Sequence, residues 1–130
     1  MDDREAFENR IATQVVDAAY RVHTTLGPGL LESVYEAALA YELESRGLKF
    51  VRQQPIPVRY GTLTLDEGFR ADLVVANRVI VELKSLENFA PVHKKQLLTY
   101  LRITGMRLGL LINFGAPLIK NGIVRIANNL

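Results

Sequence analysis

The chain has 130 residues, a length that suits one domain (1–130) whose hydrophobic core needs no covalent cross-links. Hydrophobic residues make up 48% and charged residues 23% of the sequence, which excludes a disordered chain, and the absence of cysteine excludes disulfides, thiolate zinc sites and thiol nucleophiles. The net charge of +2 permits a nucleic-acid partner without requiring one.

The first two predicted elements are helices separated by a Gly-Pro-Gly break. Apolar residues recur every three or four positions from Phe7 to Leu26, which predicts an amphipathic helix. The break at Gly27-Pro28-Gly29 ends it because proline and glycine interrupt helices. A second helix follows, with Gly47 as its expected stop. Its predicted buried side consists of Leu31, Val34, Tyr35, Ala38, Leu39 and Tyr41.

The middle of the chain predicts three strands. Alternation in Ile56–Tyr60 indicates the first, and Pro55 and Pro57 favour an edge strand or a bulge. The next two, Phe69–Val75 and Val79–Leu83, are rich in residues that favour strands. Asn77 lies between them and tolerates the positive φ of a tight turn, so these two strands are predicted to form a hairpin.

A third helix and two further strands complete the predicted order. The helix is expected from about Pro91 to Ile103, followed by Leu108–Phe114 as a strand covered on both faces and by a short strand at 123–126. The order α-α-β-β-β-α-β-β predicts an α/β (α+β) domain with a central mixed β-sheet flanked by helices.

Three charged residues, Asp72, Glu82 and Lys84, lie inside otherwise apolar predicted strands. Ionised groups are costly to bury unless they are paired or bind a metal. Glu82 and Lys84 share a face by alternation, and a hairpin centred on Asn77 places Asp72 across from Glu82. These residues predict a Mg²⁺ site with both carboxylates as ligands and Lys84 beside the reacting phosphate, suited to phosphodiester hydrolysis. A buried salt bridge is the structural alternative, and the spacing alone favours it.

Two helices carry further candidates. Gln96 and Tyr100 stand four residues apart on the third helix, so they share a face from which they would reach a water or phosphate near the metal; a polar face with one core aromatic is the alternative. Glu32 on the second helix would reach the metal or its waters, unless it merely complements the helix dipole. The later acidic residues Glu36 and Glu42 are interpreted as solvated.

With these motifs in place, the sequence resembles the GxxExxY proteins of the PD-(D/E)xK nuclease-like superfamily. The naming motif is Gly29–Tyr35, and Asp72 with Glu82-Leu83-Lys84 resembles the split superfamily signature. Gln96–Tyr100 is similar to the QxxxY motif of RecB-like nucleases, and Gly109–Gly115 also resembles this family. The resemblance covers nearly the whole chain.

This resemblance implies a restriction-endonuclease-like core and Mg²⁺ or Mn²⁺ bound between Asp72, Glu82 and Glu32. It does not imply a substrate; the leading hypothesis is a divalent-metal nuclease acting on DNA, with RNA as the second choice. The alternative is a catalytically weak or inactive module that binds nucleic acid or protein on a nuclease scaffold, and a third reading is hydrolysis of another phosphate ester. The function rests on analogy at this level.

The expected partner is therefore nucleic acid. Basic residues that would contact backbone phosphates are Arg70, Lys94, Lys95, Arg102 and Arg107. The apolar residues near the C-terminus, Leu118-Ile119 and 123–126, would pack on the domain or form a homodimer. The first ten residues lack the apolar core of a signal peptide and no apolar run is long enough to cross a bilayer, which predicts a cytoplasmic protein without a membrane partner.

Overall fold

The computed structural model describes residues 3–130, except for the side chain of Arg4. The elements follow the predicted order, with the third helix and the last two strands within one residue of their predicted ends. Their bounds are α1 (Asp3–Leu26), α2 (Glu32–Ser45), β1 (Phe50–Tyr60), β2 (Leu63–Val75), β3 (Val79–Lys84), α3 (Pro91–Thr104), β4 (Leu108–Asn113), a short 3-10 helix (Ile119–Gly122) and β5 (Ile123–Ala127). None of the helices in this described part is long and apolar enough to span a membrane.

The five strands form one mixed sheet in the order β1-β2-β3-β4-β5. Only β3 and β4 pair in parallel, because α3 connects them and a helix returns the chain to the same end of the sheet. Residues of α1 and α2 pack with one set of sheet side chains, including Val81 and Leu83. Leu97 and Leu101 of α3 pack with another set, which includes Ile80. The predicted mixed sheet flanked by helices is confirmed.

The two prolines of β1 had predicted an edge strand or a bulge, and the strand has both features. β1 lies at one edge of the sheet, and its register with β2 shifts between Ile56 and Val58. Proline cannot donate a ladder hydrogen bond, so an irregular edge accommodates it at little cost.

The turn between β2 and β3 sets the register of the predicted site. Ala76 and Asn77 have φ of 53° and 57°, the left-handed conformation of a tight hairpin turn, and Val75 pairs with Val79 across them. The ladder continues to Leu73 opposite Val81. In this register the next pair along the strands is Asp72 and Glu82, as the hairpin centred on Asn77 predicted.

The predicted buried side of α2 is partly wrong. Tyr35 and Leu39 are fully buried, but Leu31 is 74% and Tyr41 is 72% exposed. The helix turns its 35-39-43 row toward the sheet, and Leu31 precedes the first residue of the helix. Since helical periodicity leaves the exact orientation of a face open, only packing against the sheet decides it.

The reading of Glu36 and Glu42 as solvated is also wrong. Glu36 is only 8% exposed because β1 packs across this part of α2, and Arg52 pairs with its carboxylate at 3.0 Å. The side chain of Glu42 is 14% exposed and pairs with Arg21 of α1 at 2.8 Å. Each buried carboxylate therefore has a cationic partner, as burial of a charge requires.

The C-terminal apolar residues pack on this chain. Ile119 is 5% exposed in the core formed with α1 and α2, and β5 pairs with β4 through Ile123 and Ile126. Leu118 remains 56% exposed. The homodimer that this segment was expected to support stays a prediction.

Candidate active site

The structure brings Asp72 and Glu82 together at the point where the paired part of β2 and β3 ends. The backbone N–H of Leu83 donates to Asp72 Oδ2 at 2.8 Å, and the backbone N–H of Asp72 lies 3.3 Å from Glu82 Oε1. These side-chain oxygens therefore accept hydrogen bonds from backbone N–H groups, which would bond to carbonyls of the opposite strand if the pairing of β2 and β3 continued. Both carboxylates are held by backbone groups of the opposite strand, and both remain partly exposed.

Burial and the neighbouring carboxylate change the protonation of this pair. Burial, followed by the charge of Asp72 and a side-chain hydrogen bond with Asp72, raises the pKa of Glu82 to about 9. The backbone N–H of Asp72 and the charge of Lys84 oppose the rise but are smaller effects. Two carboxylates this close cannot both ionise cheaply, which favours the protonated form of Glu82.

Lys84 lies on the same face as Glu82, two residues further along β3. The positive charge of Lys84 acts to lower the pKa of Glu82. Among the ion pairs between residues 3 and 130, however, none joins Lys84 to either carboxylate. This arrangement does not match the structural alternative, in which Lys84 neutralises a buried carboxylate. Lys84 is half-buried, and the N–H groups of its ammonium are available to donate hydrogen bonds to a group other than these carboxylates.

The helix α3 places Tyr100 beside the pair. Its ring stacks on Phe69 of β2, with ring centroids 3.7 Å apart and an interplanar angle of 4°. Burial, and then the charges of Glu82 and Asp72, raise the pKa of the Tyr100 hydroxyl. Gln96 lies one turn earlier on the same face and is exposed to solvent.

Glu32 is not joined to the pair. It is exposed in the first turn of α2, and the described part of the chain holds no group of three or more His, Asp or Glu side chains arranged around a metal. The carboxylate of α2 that connects to the site is Glu36. Gln53 of β1 donates from Nε2 to Glu36 Oε1 at 2.5 Å and lies 3.3 Å from Asp72 Oδ1.

Glu36 and Gln53 were not among the site residues that the sequence predicted. The position of Glu36 four residues after Glu32, on the same helical face, was the only available signal for the first. No local pattern marks Gln53. It reaches Asp72 because β1 and β2 pair with Arg52 opposite Leu73 and Gln54 opposite Ala71, which places residue 53 opposite residue 72.

The Gly29–Tyr35 segment is tied to Ser85, the residue that follows Lys84. Tyr35 is fully buried, stacks on Phe114 at 4.5 Å, and its hydroxyl donates to the carbonyl of Gly27 and accepts from the N–H of Leu30. The hydroxyl of Ser85 donates to the Leu30 carbonyl at 2.6 Å. The tyrosine of this motif therefore holds the loop between α1 and α2 against the end of β3.

The donor set fits a hard divalent cation. Two adjacent, partly exposed carboxylates form an oxygen-rich site of net negative charge. Mg²⁺ is commonly held by one or two carboxylates, with water and phosphate oxygens completing its octahedron, so a third acidic residue is not required. Mn²⁺ accepts the same ligands.

A pH titration checks the protonation of Glu82. Because its folded pKa is raised from 4.5 to about 9, the stability it contributes is fully present below pH 4.5 and is lost as pH rises through 9. In the presence of a chelator, the native chain is expected to lose stability relative to Glu82→Gln across this window, by at most about 1.4 kcal/mol per pH unit. Urea unfolding at several pH values measures this, and parallel curves for the two proteins would contradict it.

Comparison with known proteins gives two findings. The sequence profile of the PD-(D/E)XK nuclease superfamily matches residues 9–126. Among solved structures, the chain is similar to the crystal structure of SSO0001, with a TM-score of 0.53 and 20% sequence identity, over 76% of this chain and 51% of that one. At that identity the likeness shows the fold alone, and the chain spans about half the length of SSO0001. The search of curated proteins found no match.

Proposed function

The chain belongs to the PD-(D/E)XK nuclease superfamily, and on that premise we propose that it hydrolyses phosphodiester bonds of DNA, with RNA as the second choice, using a divalent metal ion. The observation that carries this proposal is the Asp72–Glu82 pair, two partly exposed carboxylates that meet where β2 and β3 stop pairing. Beside them, Lys84 forms no ion pair with either carboxylate among the described residues 3–130. In a site that only stabilises the fold, Lys84 would form an ion pair with one of the carboxylates.

Asp72 and Glu82 would hold the metal, with Mg²⁺ or Mn²⁺ as the expected ion. When bound, the ion lowers the pKa of a bound water and offsets negative charge on the phosphate. Glu82 would have to be ionised to act as a ligand, which its burial and the charge of Asp72 oppose unless a cation balances the pair. The backbone N–H of Leu83 keeps Asp72 oriented throughout.

Lys84 would donate hydrogen bonds to the phosphate or to the attacking hydroxide. It shares a face with Glu82 and is not engaged by either carboxylate. Tyr100, fixed by its stack on Phe69, borders the carboxylates, and the exposed amide of Gln96 one turn away would hydrogen-bond a phosphate oxygen or a water. These donors all lie on the α3 side of the sheet.

Phosphate contacts outside the centre would come mainly from α3. Lys94, Lys95 and Arg102 are exposed on this helix. Arg70 already pairs with Glu67 at 2.9 Å, and Arg107 donates to the carbonyl of Asn129, so these two are less available than the sequence indicated. Exposed lysines and arginines favour binding to the nucleic-acid backbone without reading its sequence.

Cleavage by the native chain tests the proposal. We expect Mg²⁺- or Mn²⁺-dependent cleavage of single-stranded, duplex or branched DNA, abolished by a chelator, and a rise in melting temperature on adding Mn²⁺ because the ion binds the folded state. RNA substrates in the same assay separate the two substrate classes. Binding of nucleic acid without cleavage under all of these conditions would favour the alternative of a catalytically inactive binding module. No melting shift at millimolar Mn²⁺ would count against a preformed metal site.

A further inference from the structure

We propose that Gln53 is a positioning residue for Asp72 and that Glu36 holds Gln53 in place. This inference rests on the proposed function, because it assigns Gln53 a role in orienting a metal ligand. The three side chains come from β1, β2 and α2, and they form a continuous chain of contacts from the buried carboxylate of Glu36, which pairs with the exposed Arg52, to the candidate metal site.

The side-chain amide of Gln53 bridges two carboxylates. Its Nε2 donates to Glu36 Oε1 at 2.5 Å and is 3.3 Å from Asp72 Oδ1. An amide nitrogen carries two N–H groups and can serve both acceptors, whereas the amide oxygen would be repelled by either. The nitrogen must therefore face the carboxylates, and the orientation of the amide is determined by its surroundings.

Glu36 holds the side-chain amide of Gln53 in position, because the carboxylate of Glu36 is itself buried and bonded. Its side chain is 11% exposed, and Arg52 donates from Nε to its other oxygen at 3.0 Å. The two oxygens of the carboxylate thus have different partners, Arg52 and Gln53. A buried, fully bonded carboxylate is a rigid anchor, since moving it would leave a charge unpaired.

Asp72 is consequently held from both sides. Gln53 contacts Oδ1 from β1, and the N–H of Leu83 donates to Oδ2 from β3. Each oxygen retains lone-pair capacity for a cation. Groups that orient metal ligands in this way often contribute about 10- to 100-fold to metal affinity, because the ligand is already ordered when the ion arrives.

The backbone of Gln53 gives an independent indication. Its φ is 51°, in the left-handed region, although it lies within an edge strand and is not glycine. A non-glycine residue in this conformation is strained, and such strain persists where surrounding contacts hold it. At Gln53 it occurs together with the side-chain contacts to Glu36 and Asp72.

The test compares Gln53→Leu and Gln53→Asn with Gln54→Leu. Leucine removes the donor, while asparagine keeps an amide too short to span both carboxylates and suits a positive φ, so it covers the case in which the leucine variant fails to fold. Gln54 is the matched control, because among the described residues 3–130 its amide hydrogen-bonds the carbonyl of Pro55 and neither carboxylate. The Kd for Mn²⁺ is measured by calorimetry on each chain, and cleavage is measured at limiting and saturating Mn²⁺.

Both Gln53 variants are expected to bind Mn²⁺ about tenfold more weakly, with cleavage restored at saturating Mn²⁺, while Gln54→Leu matches the native chain. Native affinity in the Gln53 variants would overturn the positioning role and leave the proposed function standing. An equal loss in Gln54→Leu would overturn it as a general effect of disturbing β1. Absence of Mn²⁺ binding by the native chain would overturn the proposed function and this inference together.

Discussion

Replacing Lys84 by alanine is expected to reduce metal-dependent cleavage about 10²- to 10³-fold while the melting shift caused by Mn²⁺ is retained. The removal of one preorganised donor to a developing charge has an effect of this size. Lys84 forms no ion pair with Asp72 or Glu82, so its loss leaves no carboxylate stripped of a partner and little stability is lost. Cleavage rates under single-turnover conditions, together with melting curves, measure both effects.

Two further variants make this result specific. Asp72→Ala is expected to lose both cleavage and the Mn²⁺ shift, because it removes a metal ligand, which separates metal binding from the role of Lys84. Lys120→Ala changes an exposed lysine of the short 3-10 helix and should cleave like the native chain. Cleavage that survives both Asp72→Ala and Lys84→Ala would indicate a contaminating enzyme or a different site. A large fall in the stability of Lys84→Ala would indicate that Lys84 has a structural role instead, as the partner of a buried carboxylate.

Asn113→Ala is expected to cost about 3 kcal/mol or more of folding free energy. Asn113 is 2% exposed at the end of β4, and its side chain bonds three backbone groups. Its Nδ2 donates to the carbonyl of Leu86 at 2.9 Å, and its Oδ1 accepts from the N–H groups of Leu86 at 2.8 Å and Gly115 at 3.0 Å. Alanine would leave these groups without partners, at about 1–3 kcal/mol for each that stays buried.

Urea unfolding measures the change, with Asn121→Ala as the control. Asn121 is exposed in the 3-10 helix, so its replacement should alter stability by no more than about 0.5 kcal/mol. The two hydrogen bonds of Asn113 to the backbone of Leu86 form a clamp on this residue. A loss below about 1 kcal/mol in Asn113→Ala would mean that water replaces the lost partners and that this clamp is dispensable. Leu86 follows Lys84 by two residues, so this clamp also determines how the chain leaves the candidate site.

The local features of the site could be predicted from the sequence because short-range geometry controls them. Alternation places Glu82 and Lys84 on one face, and the tight three-residue turn at 76–78 sets Asp72 across from Glu82. Four-residue spacing puts Gln96 on the face of Tyr100. Each of these relations involves residues within about a dozen positions of one another, or within one helix.

The sequence by itself therefore determined the order of elements, the edge position of β1 and the Asp72–Glu82–Lys84 arrangement. Tertiary structure alone decided which face of α2 is buried, that Glu36 rather than Glu32 connects to Asp72, and that Asn113 clamps Leu86. Those contacts join residues 17, 19 and 27 positions apart, on different elements. Periodicity specifies which side chains share a face, but only the packing of helices and strands against one another specifies what that face meets.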